Sequence, residues 1–461
     1  MPEHSFSPTE LEFPEDFIWG TGVSSFQVEG DSKKRNADWD VFIKKNGGII
    51  KPDEIGAQWW REEHAEKDID ILAKLNIQSL RISLEWARIE PYEGKIDRAA
   101  LHRYKALISH LKKKNITPLV ALNHFSLPSW VAKNGGWQST KIQRYFSQYV
   151  KRVVSEFSDI SHWITINEPN SLVTAGYITH YFPPHKENIL AALMARENML
   201  ICHEEAYRII KKNNPLSIVG MSIAIRWYRP DNPNSLKERL YTKLVNYLSS
   251  LNYVDATKNS CDFIGCNFYT GYYLDLAFKQ FRRRMRRDAA DVPDTILFGE
   301  TKRPDAYLSD MGWPIVPDFF LDTLRSLHNT YNKPIIITEN GIADEDDNYR
   351  AFYILTHLTA IWKALQENIP VKGYFYWSAI DNLEWLYGYD KRFGLIEVNP
   401  VTGERKARKS AALYKEICQK NYMSLKTLSQ EYLPENQQES ARTVFHTLLK
   451  TSAHGKCSYC L

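Results

Sequence analysis

The sequence predicts an α/β chain folded as a single (β/α)8 TIM barrel with elaborated βα loops. Three observations predict it: eight short apolar runs, amphipathic segments between them, and polar or aromatic residues at the C-terminal ends of those runs. Runs rich in β-branched and aromatic residues read as buried strands, because a parallel sheet covered on both faces needs near-continuous apolar sequence. In order they are Phe17–Ser24, Ile77–Trp86, Ile116–Phe125, His162–Glu168, Ile218–Trp227, Asp262–Tyr269, Pro334–Glu339 and Val371–Ser378. Helical spacing of apolar residues predicts helices over Ala99–Lys114, Ile142–Phe157, Ala191–Lys212, Val316–Tyr331 and Asn348–Glu367. Eight such repeats close a parallel sheet on itself.

The expected division is an N-terminal extension over 1–12, the catalytic barrel over 13–420, and an appendage or mobile tail over 421–461, where Ser, Gln and Glu become frequent. The longest gap, Gly271 to Pro314, is the largest loop expected at the barrel mouth. Its basic run, Lys279, Arg282, Arg283, Arg284, Arg286 and Arg287, reads as a solvated loop or lid face. Cys457 and Cys460 form a lone CxxC with no second pair to complete a metal site.

With 461 residues and 43% hydrophobic content the chain can bury a large core. Lys plus Arg number 59 against 55 Asp plus Glu, so the net charge of +4 gives no electrostatic case for a nucleic-acid partner. No run approaches the roughly 18 to 20 apolar residues of a membrane span. The segment Met1–Glu10 lacks the basic and apolar regions of a secretion signal. Six cysteines dispersed over this length make no disulfide framework and read as reduced thiols, so the expected location is cytoplasmic. Thirteen Trp and 26 Tyr exceed the needs of a core, and sugar clefts use such rings: an apolar face for the pyranose, a polar tip for its hydroxyls.

Two of the runs, Ile164–Pro169 and Ile335–Gly341, end in a glutamate followed by turn-forming residues. A Glu at the end of a barrel strand sits on a rigid element facing the mouth, and two of them suggest acid/base work on a glycosidic bond. Seven of the eight runs deliver candidates to the same face: Gln27; Arg81 with Glu85 and Trp86; His124; Asn167 with Glu168; Asn267 with Tyr269; Glu339; and Trp377 followed by Glu384 and Trp385. The fifth run, ending in Arg226 and Trp227, offers none. Singly, each has a structural reading, such as a core histidine, an ion-pair partner or barrel packing. Together, at corresponding strand ends, they point to a site.

The segments FIWGTGVSSFQVEG (17–30), LRISLEWARIEP (80–91), NHFSLPSW (123–130), TINEP (165–169), NFYTG (267–271), ITENG (337–341) and YWSAIDNLEW (376–385) resemble the family 1 glycoside hydrolases of β-glucosidase type. The resemblance runs from about Phe13 to Lys420. It implies a (β/α)8 barrel and a retaining hydrolase that needs no cofactor and acts on a small β-glycoside or oligosaccharide, most prominently a β-glucosidase with β-galactosidase and β-fucosidase activity. Glu168 would be the acid/base and Glu339 the nucleophile. Asn167 would contact the sugar 2-hydroxyl, Arg81 and Tyr269 would hold the nucleophile, and Asn267 would support the pair. Gln27, His124, Glu384 and Trp385 would bind sugar hydroxyls over a Trp377 floor. Carboxylates roughly 5 Å apart permit a covalent glycosyl-enzyme, and the resemblance implies that short gap. Arg81 would favour the anion of Glu339, while Glu168, beside a second negative charge, would keep its proton.

Members that act on phosphorylated sugars lack the glutamate kept here as Glu384, so an unphosphorylated sugar is expected. Gln27 and Glu384 accept either geometry at C4, which leaves glucose, galactose and fucose open. Two departures, His124-Phe125-Ser126-Leu127-Pro128 in place of HWDLP and Glu85 in place of Ser, bear on the leaving-group side. Two other readings share the barrel: a catalytically silent sugar-binding module, which the paired glutamates argue against, and a transglycosylase, which uses the same residues.

Overall fold

Eight parallel strands close into a barrel: β1 (Ile18–Gly22), β2 (Ser79–Ser83), β3 (Thr117–Ala121), β4 (His162–Asn167), β5 (Ile218–Ala224), β6 (Phe263–Asn267), β7 (Ile335–Asn340) and β8 (Val371–Trp377), with β8 pairing back onto β1. The computed structural model describes residues 10–31, 35–45, 57–61, 63–276, 300–301, 303, 305–399 and 402–450. The basic run from Lys279 to Arg287 and the pair Cys457 and Cys460 lie outside the described residues.

Around the barrel run α1 (His64–Lys74), α2 (Arg98–Lys113), α3 (Lys141–Glu156), α4 (Ile189–Asn213), α5 (Leu236–Asn246), α6 (Pro317–Tyr331), α7 (Arg350–Gln366) and α8 (Lys409–Lys420). Local sequence sets several of their ends. The Asp97 carboxylate accepts the amides of Ala99 and Ala100 to start α2, Asn188 accepts from Ala191 to start α4, and Ser235 accepts from Glu238 to start α5. Pro317 opens α6, where its missing N–H is no loss. Helix α2 turns one apolar stripe of Leu101, Tyr104, Ile108 and Leu111 onto the strands, whereas α7 is buried on nearly every side.

The lower interior of the barrel is a small apolar plug of Leu119, Ala121, Ile164, Phe263, Ile336 and Phe375, with Ile18 packed on it. Polar side chains collect above this plug, at the C-terminal ends of the strands, so the barrel supplies one dry floor and one polar mouth.

The fifth run is shorter than the sequence suggested. The chain leaves the barrel after Ala224, and Trp227 belongs to a separate strand, Trp227–Pro230, in a three-stranded sheet with Gly271–Leu274 and Glu300–Thr301. The apolar pattern runs on through Ile225 and hides the turn.

The start of the described chain meets a late segment beneath the barrel. Glu10–Glu12 pairs antiparallel with Tyr422–Ser424, the Trp19 indole donates to Asn421 Oδ1 at 2.8 Å, and the Tyr414 hydroxyl donates to the Gly20 carbonyl at 2.6 Å. Beyond Asn421 the chain forms α9 (Leu425–Tyr432) and α10 (Glu435–Lys450). Their buried Leu428, Ala441, Phe445 and Leu448 belong to the main core, and Gln437 donates to the Asn348 carbonyl at 2.9 Å. Each such buried Leu or Phe contributes about 1.5–3 kcal/mol.

Among the described residues no helix is long and apolar enough to cross a membrane. No group of three or more His, Cys, Asp or Glu among them is arranged to hold a metal ion.

Candidate active site

Plain strand alternation would not aim both key strands correctly. In β7, Ile336 lies in the inner plug while Ile337 packs outward, so Thr338 points in and Glu339 would point out. The register corrects this: Ile337 pairs with Cys266, yet Glu339 pairs with the very next residue, Asn267. One extra residue in β7 brings Glu339 inside as well. β4 repeats the device, with Ile164 opposite Gly220 but Asn167 opposite Ser222. Since a one-residue slip exchanges the two faces of a strand, these bulges decide which side chains reach the mouth.

Glu168 follows β4 at φ 45° and ψ 57°, in the left-handed region, with Pro169 opening the short helix Pro169–Val173. Such a conformation costs of order 1–3 kcal/mol in a non-glycine residue and clusters at functional sites. Gly341 serves close approach: a Cβ there would fall 1.7 Å from the Trp377 carbonyl oxygen, so only glycine lets the ends of β7 and β8 abut. Gly22 does the same more gently, since its Cβ would stand 3.1 Å from the Trp377 ring.

These strand ends surround a cavity of about 330 Å³. His124, Asn167, Glu168, Asn267, Tyr269 and Glu339 line its floor, together with Trp377, Glu384 and Trp385 from the end of β8 and the loop after it. Arg81 and Gln27 stand directly behind that lining. Arg81 ion-pairs with Glu339 through Nη1 and donates from Nη2 to Asn167 Oδ1 at 2.6 Å. The Tyr269 hydroxyl donates to the second Glu339 oxygen at 2.6 Å. Glu339 is therefore held on both oxygens by donors suited to an anion.

Glu168 has a different environment. Its Oε1 accepts from Asn267 Nδ2 at 2.7 Å, and Asn267 is oriented in turn by the Thr338 hydroxyl, which donates to its Oδ1 at 2.6 Å. Burial first, and the Glu339 charge second, push the Glu168 carboxyl up to about 7. The sequence reading named the neighbouring charge; the larger cause is removal from water. Glu384 is pushed higher, to about 8, by burial and then by Glu339 and Glu168. Three carboxyls thus line one cavity, and Arg81 behind them ion-pairs with Glu339 alone of the three.

Asn167, with its oxygen committed to Arg81, donates from Nδ2 to His124 Nε2 at 3.3 Å. Burial, then the Arg81 charge, drives His124 well below its ordinary range, so it is neutral. Its ring lies nearly parallel to those of Trp377 and Trp385, at 5.8 and 6.0 Å. Gln27 donates to the Leu383 carbonyl at 2.8 Å and to Glu384 at 3.4 Å, and the Ser24 hydroxyl donates to its oxygen at 2.6 Å.

Two sequence candidates lie elsewhere. Glu85 accepts from Ser126 at 2.7 Å and from the Ala87 amide, and Trp86 is stacked on Tyr149, edge-on to Trp130; neither lines the cavity, because their strand ends at Ser83 and the chain has turned outward. Conversely Arg226, unassigned from sequence, lines the cavity, as do Tyr181, Ser249, Met311 and Trp313. Tyr181, Met311 and Trp313 come from loops whose sequences carry no strand or motif signal, whereas Arg226 stands in the fifth run beyond the end of β5 and Ser249 in the helical turn Tyr247–Leu251. Ser24, Thr338 and Asn382 were legible only as members of the quoted segments.

Two such carboxyls, one ion-paired and one raised toward neutrality, set among indole rings that fit pyranose faces, define a barrel enzyme that cleaves glycosidic bonds. The chain belongs to glycosyl hydrolase family 1, whose profile matches residues 9–257 and 248–423. It is similar to Beta-glucosidase A of Thermotoga maritima, 29% identical over 89% of this chain and 98% of the relative. It is 30% identical to a Beta-galactosidase of Pyrococcus woesei over 90% of this chain and 98% of that one. Among solved structures, a beta-glycosidase from Pyrococcus horikoshii superimposes with a TM-score of 0.81 at 31% identity, covering 93% of this chain and 99% of that one. The chain is a glycoside hydrolase of the β-glycosidase kind.

Proposed function

We propose that this enzyme is a retaining, exo-acting β-glycosidase for unphosphorylated terminal sugars, most prominently a β-glucosidase with β-galactosidase and β-fucosidase activity. The carrying observation is the division of state between Glu339, bound by Arg81 and Tyr269, and Glu168, bound by Asn267 with its carboxyl raised to about 7.

In the first step a Glu339 oxygen forms a bond to the anomeric carbon as the glycosidic C–O bond breaks, and Glu168 gives its proton to the departing oxygen. The Glu339 ester carries no charge, so the Glu168 carboxylate loses the neighbour that favoured protonation. It is then the base that takes a proton from water as the water oxygen attacks the anomeric carbon and Glu339 leaves as carboxylate. Glu168 regains its proton and the cycle closes. Asn167 is held by Arg81 to meet the 2-hydroxyl, where a hydrogen bond strengthens in the oxocarbenium-like transition state. Trp377 is the stacking floor, and Gln27, His124, Glu384 and Trp385 take the remaining hydroxyls.

The presence of Glu384 supports an unphosphorylated sugar, since a 6-phosphate there meets a buried carboxyl instead of a cation. The relatives include a 6-phospho-beta-galactosidase of Clostridium acetobutylicum at 29% identity, so likeness alone does not choose. A cytoplasmic location is part of this reading, supported by Cys202, Cys261, Cys266 and Cys418, all buried and unpaired.

The test is the anomeric form of the first sugar released, followed by NMR, together with rates on 4-nitrophenyl β-glucoside, β-galactoside, β-fucoside and 6-phospho-β-glucoside. Retention with the β-glucoside ahead supports the proposal. An inverted product, or preference for the 6-phosphate, overturns it.

A further inference from the structure

Helices α4 and α5 carry an apolar surface that the enzyme's chemistry does not use. On α4, Ile189, Leu190, Leu193, Met194 and Ile201 are exposed; on α5 and the turn after it, Leu236, Leu240, Leu244, Tyr247 and Leu248 are exposed, the four leucines spaced four residues apart on one face. Each of these ten side chains is between 38% and 73% exposed.

The two stripes flank one seam. Arg196, one turn beyond Leu193, donates to the Asn252 side chain and carbonyl, and Asn252 donates to the carbonyls of Tyr247 and Leu248. Together the stripes expose on the order of 1,000 Å², more than the ~300–600 Å² of the largest apolar patch on an ordinary monomer. A standard protein interface takes about 800 Å² per partner. The fringes differ in net sign: Glu187 and Glu197, both largely exposed, border the α4 stripe with Arg196 beside Glu197, while Lys237, Arg239 and Lys243 outnumber Glu238 on α5.

We propose that this surface is the interface of a two-fold symmetric dimer, in which α4 of one copy lies on α5 of the other. A two-fold axis running along the seam brings each acidic-fringed stripe onto a basic-fringed one, twice, so apolar area and charge are both matched. A second copy of this chain carries that complement by construction.

Sedimentation velocity of the full chain tests it, beside Leu240→Glu/Leu244→Glu on α5 and Leu190→Glu/Met194→Glu on α4. These positions are exposed in the single chain, so each variant is expected to keep its far-UV circular dichroism and its rate on a small aryl β-glycoside. The wild type is expected at twice the 53.7 kDa chain mass, or at a higher even multiple, and both variants at half the wild-type value. A wild type that sediments as a monomer overturns the proposal, whether or not it floats with phosphatidylglycerol vesicles. An oligomer that either variant leaves intact overturns it too.

Discussion

Two groups of buried carboxyls sit on either side of the stacked rings of Phe26 and Trp385, and they differ in what they face. Glu168, Glu339 and Glu384 line the large cavity with Arg81 behind them. Glu29, Asp40 and Glu85 line neither that cavity nor the smaller one of about 110 Å³ beside Phe125. Their oxygens are taken up by the protein: Arg88 and Tyr104 hold Glu29, Arg35 grips Asp40 with two nitrogens, and Ser126 and the Ala87 amide hold Glu85. Burial raises Glu85 to about 7, the same value as Glu168. A raised carboxyl is therefore no mark of chemistry by itself. Access to a space that admits substrate separates the two groups.

The sharpest way to break this comparison is to remove one carboxylate from each group. Glu339→Gln is expected to lower kcat/KM on 4-nitrophenyl β-glucoside roughly 10⁴-fold or more with the fold intact, while Glu85→Gln stays within about tenfold. Equal losses in steady-state assays would dissolve the distinction. Glu168→Gln should come next, with a loss of about 10²–10⁴ on substrates whose leaving group needs a proton. It should also abolish the alkaline limb of the kcat/KM profile, which the wild type shows near the Glu168 value of about 7 because activity requires its proton. A limb that survives in the variant belongs to another group.

In the closed cluster the effect should fall on stability. Arg88→Met strands the Glu29 charge and is expected to cost about 3–5 kcal/mol in urea unfolding, with little change in rate per folded molecule. The most gradual effect is a pH slope. Burial raises Asp38 to about 8 and Glu85 to about 7, so the folded chain binds these protons more tightly than the unfolded chain does. Their stabilisation is full below the ordinary carboxylate range and is lost as pH rises to about 7 and about 8. The unfolding free energy from urea titrations should fall over that window, by at most about 1.4 kcal/mol per pH unit per group. Asp38→Asn keeps an oxygen for the Trp39 and Leu127 amides and should flatten the upper part of the curve.

The barrel was legible because its eight strands are apolar runs, seven of them followed by a polar or aromatic candidate, and the amphipathic spacing between runs fixed five helices to within two residues at each end. The members of the site were legible as strand ends. How they are aimed was not, because the bulges at Thr338 and ahead of Asn167 are backbone events without a composition of their own. Glu85 and Trp86 misled for a related reason: β2 stops three residues earlier than its apolar run, and the remainder serves the closed cluster. After Asn421 the polar composition conceals a helical spacing, with Gln437, Ala441, Phe445 and Leu448 buried along α10. On the outer cavity wall, Trp313 comes from a loop with no pattern to announce it, and Arg226 was hidden in an apolar run that outlasts its strand by three residues.

The meeting of the chain's early and late segments beneath the barrel has a consequence for synthesis on the ribosome. Strand β1 pairs on one side with β2, about 60 residues later, but on the other with β8, where Ile18 lies opposite Gly373, and it is braced from below by Tyr414 and Asn421. At ~5–20 residues per second, the opposite edge of β1 stays without its partner for on the order of tens of seconds. During that time the nascent sheet is an open template with two free edges, so the interval before closure is when a chaperone has most to offer this enzyme.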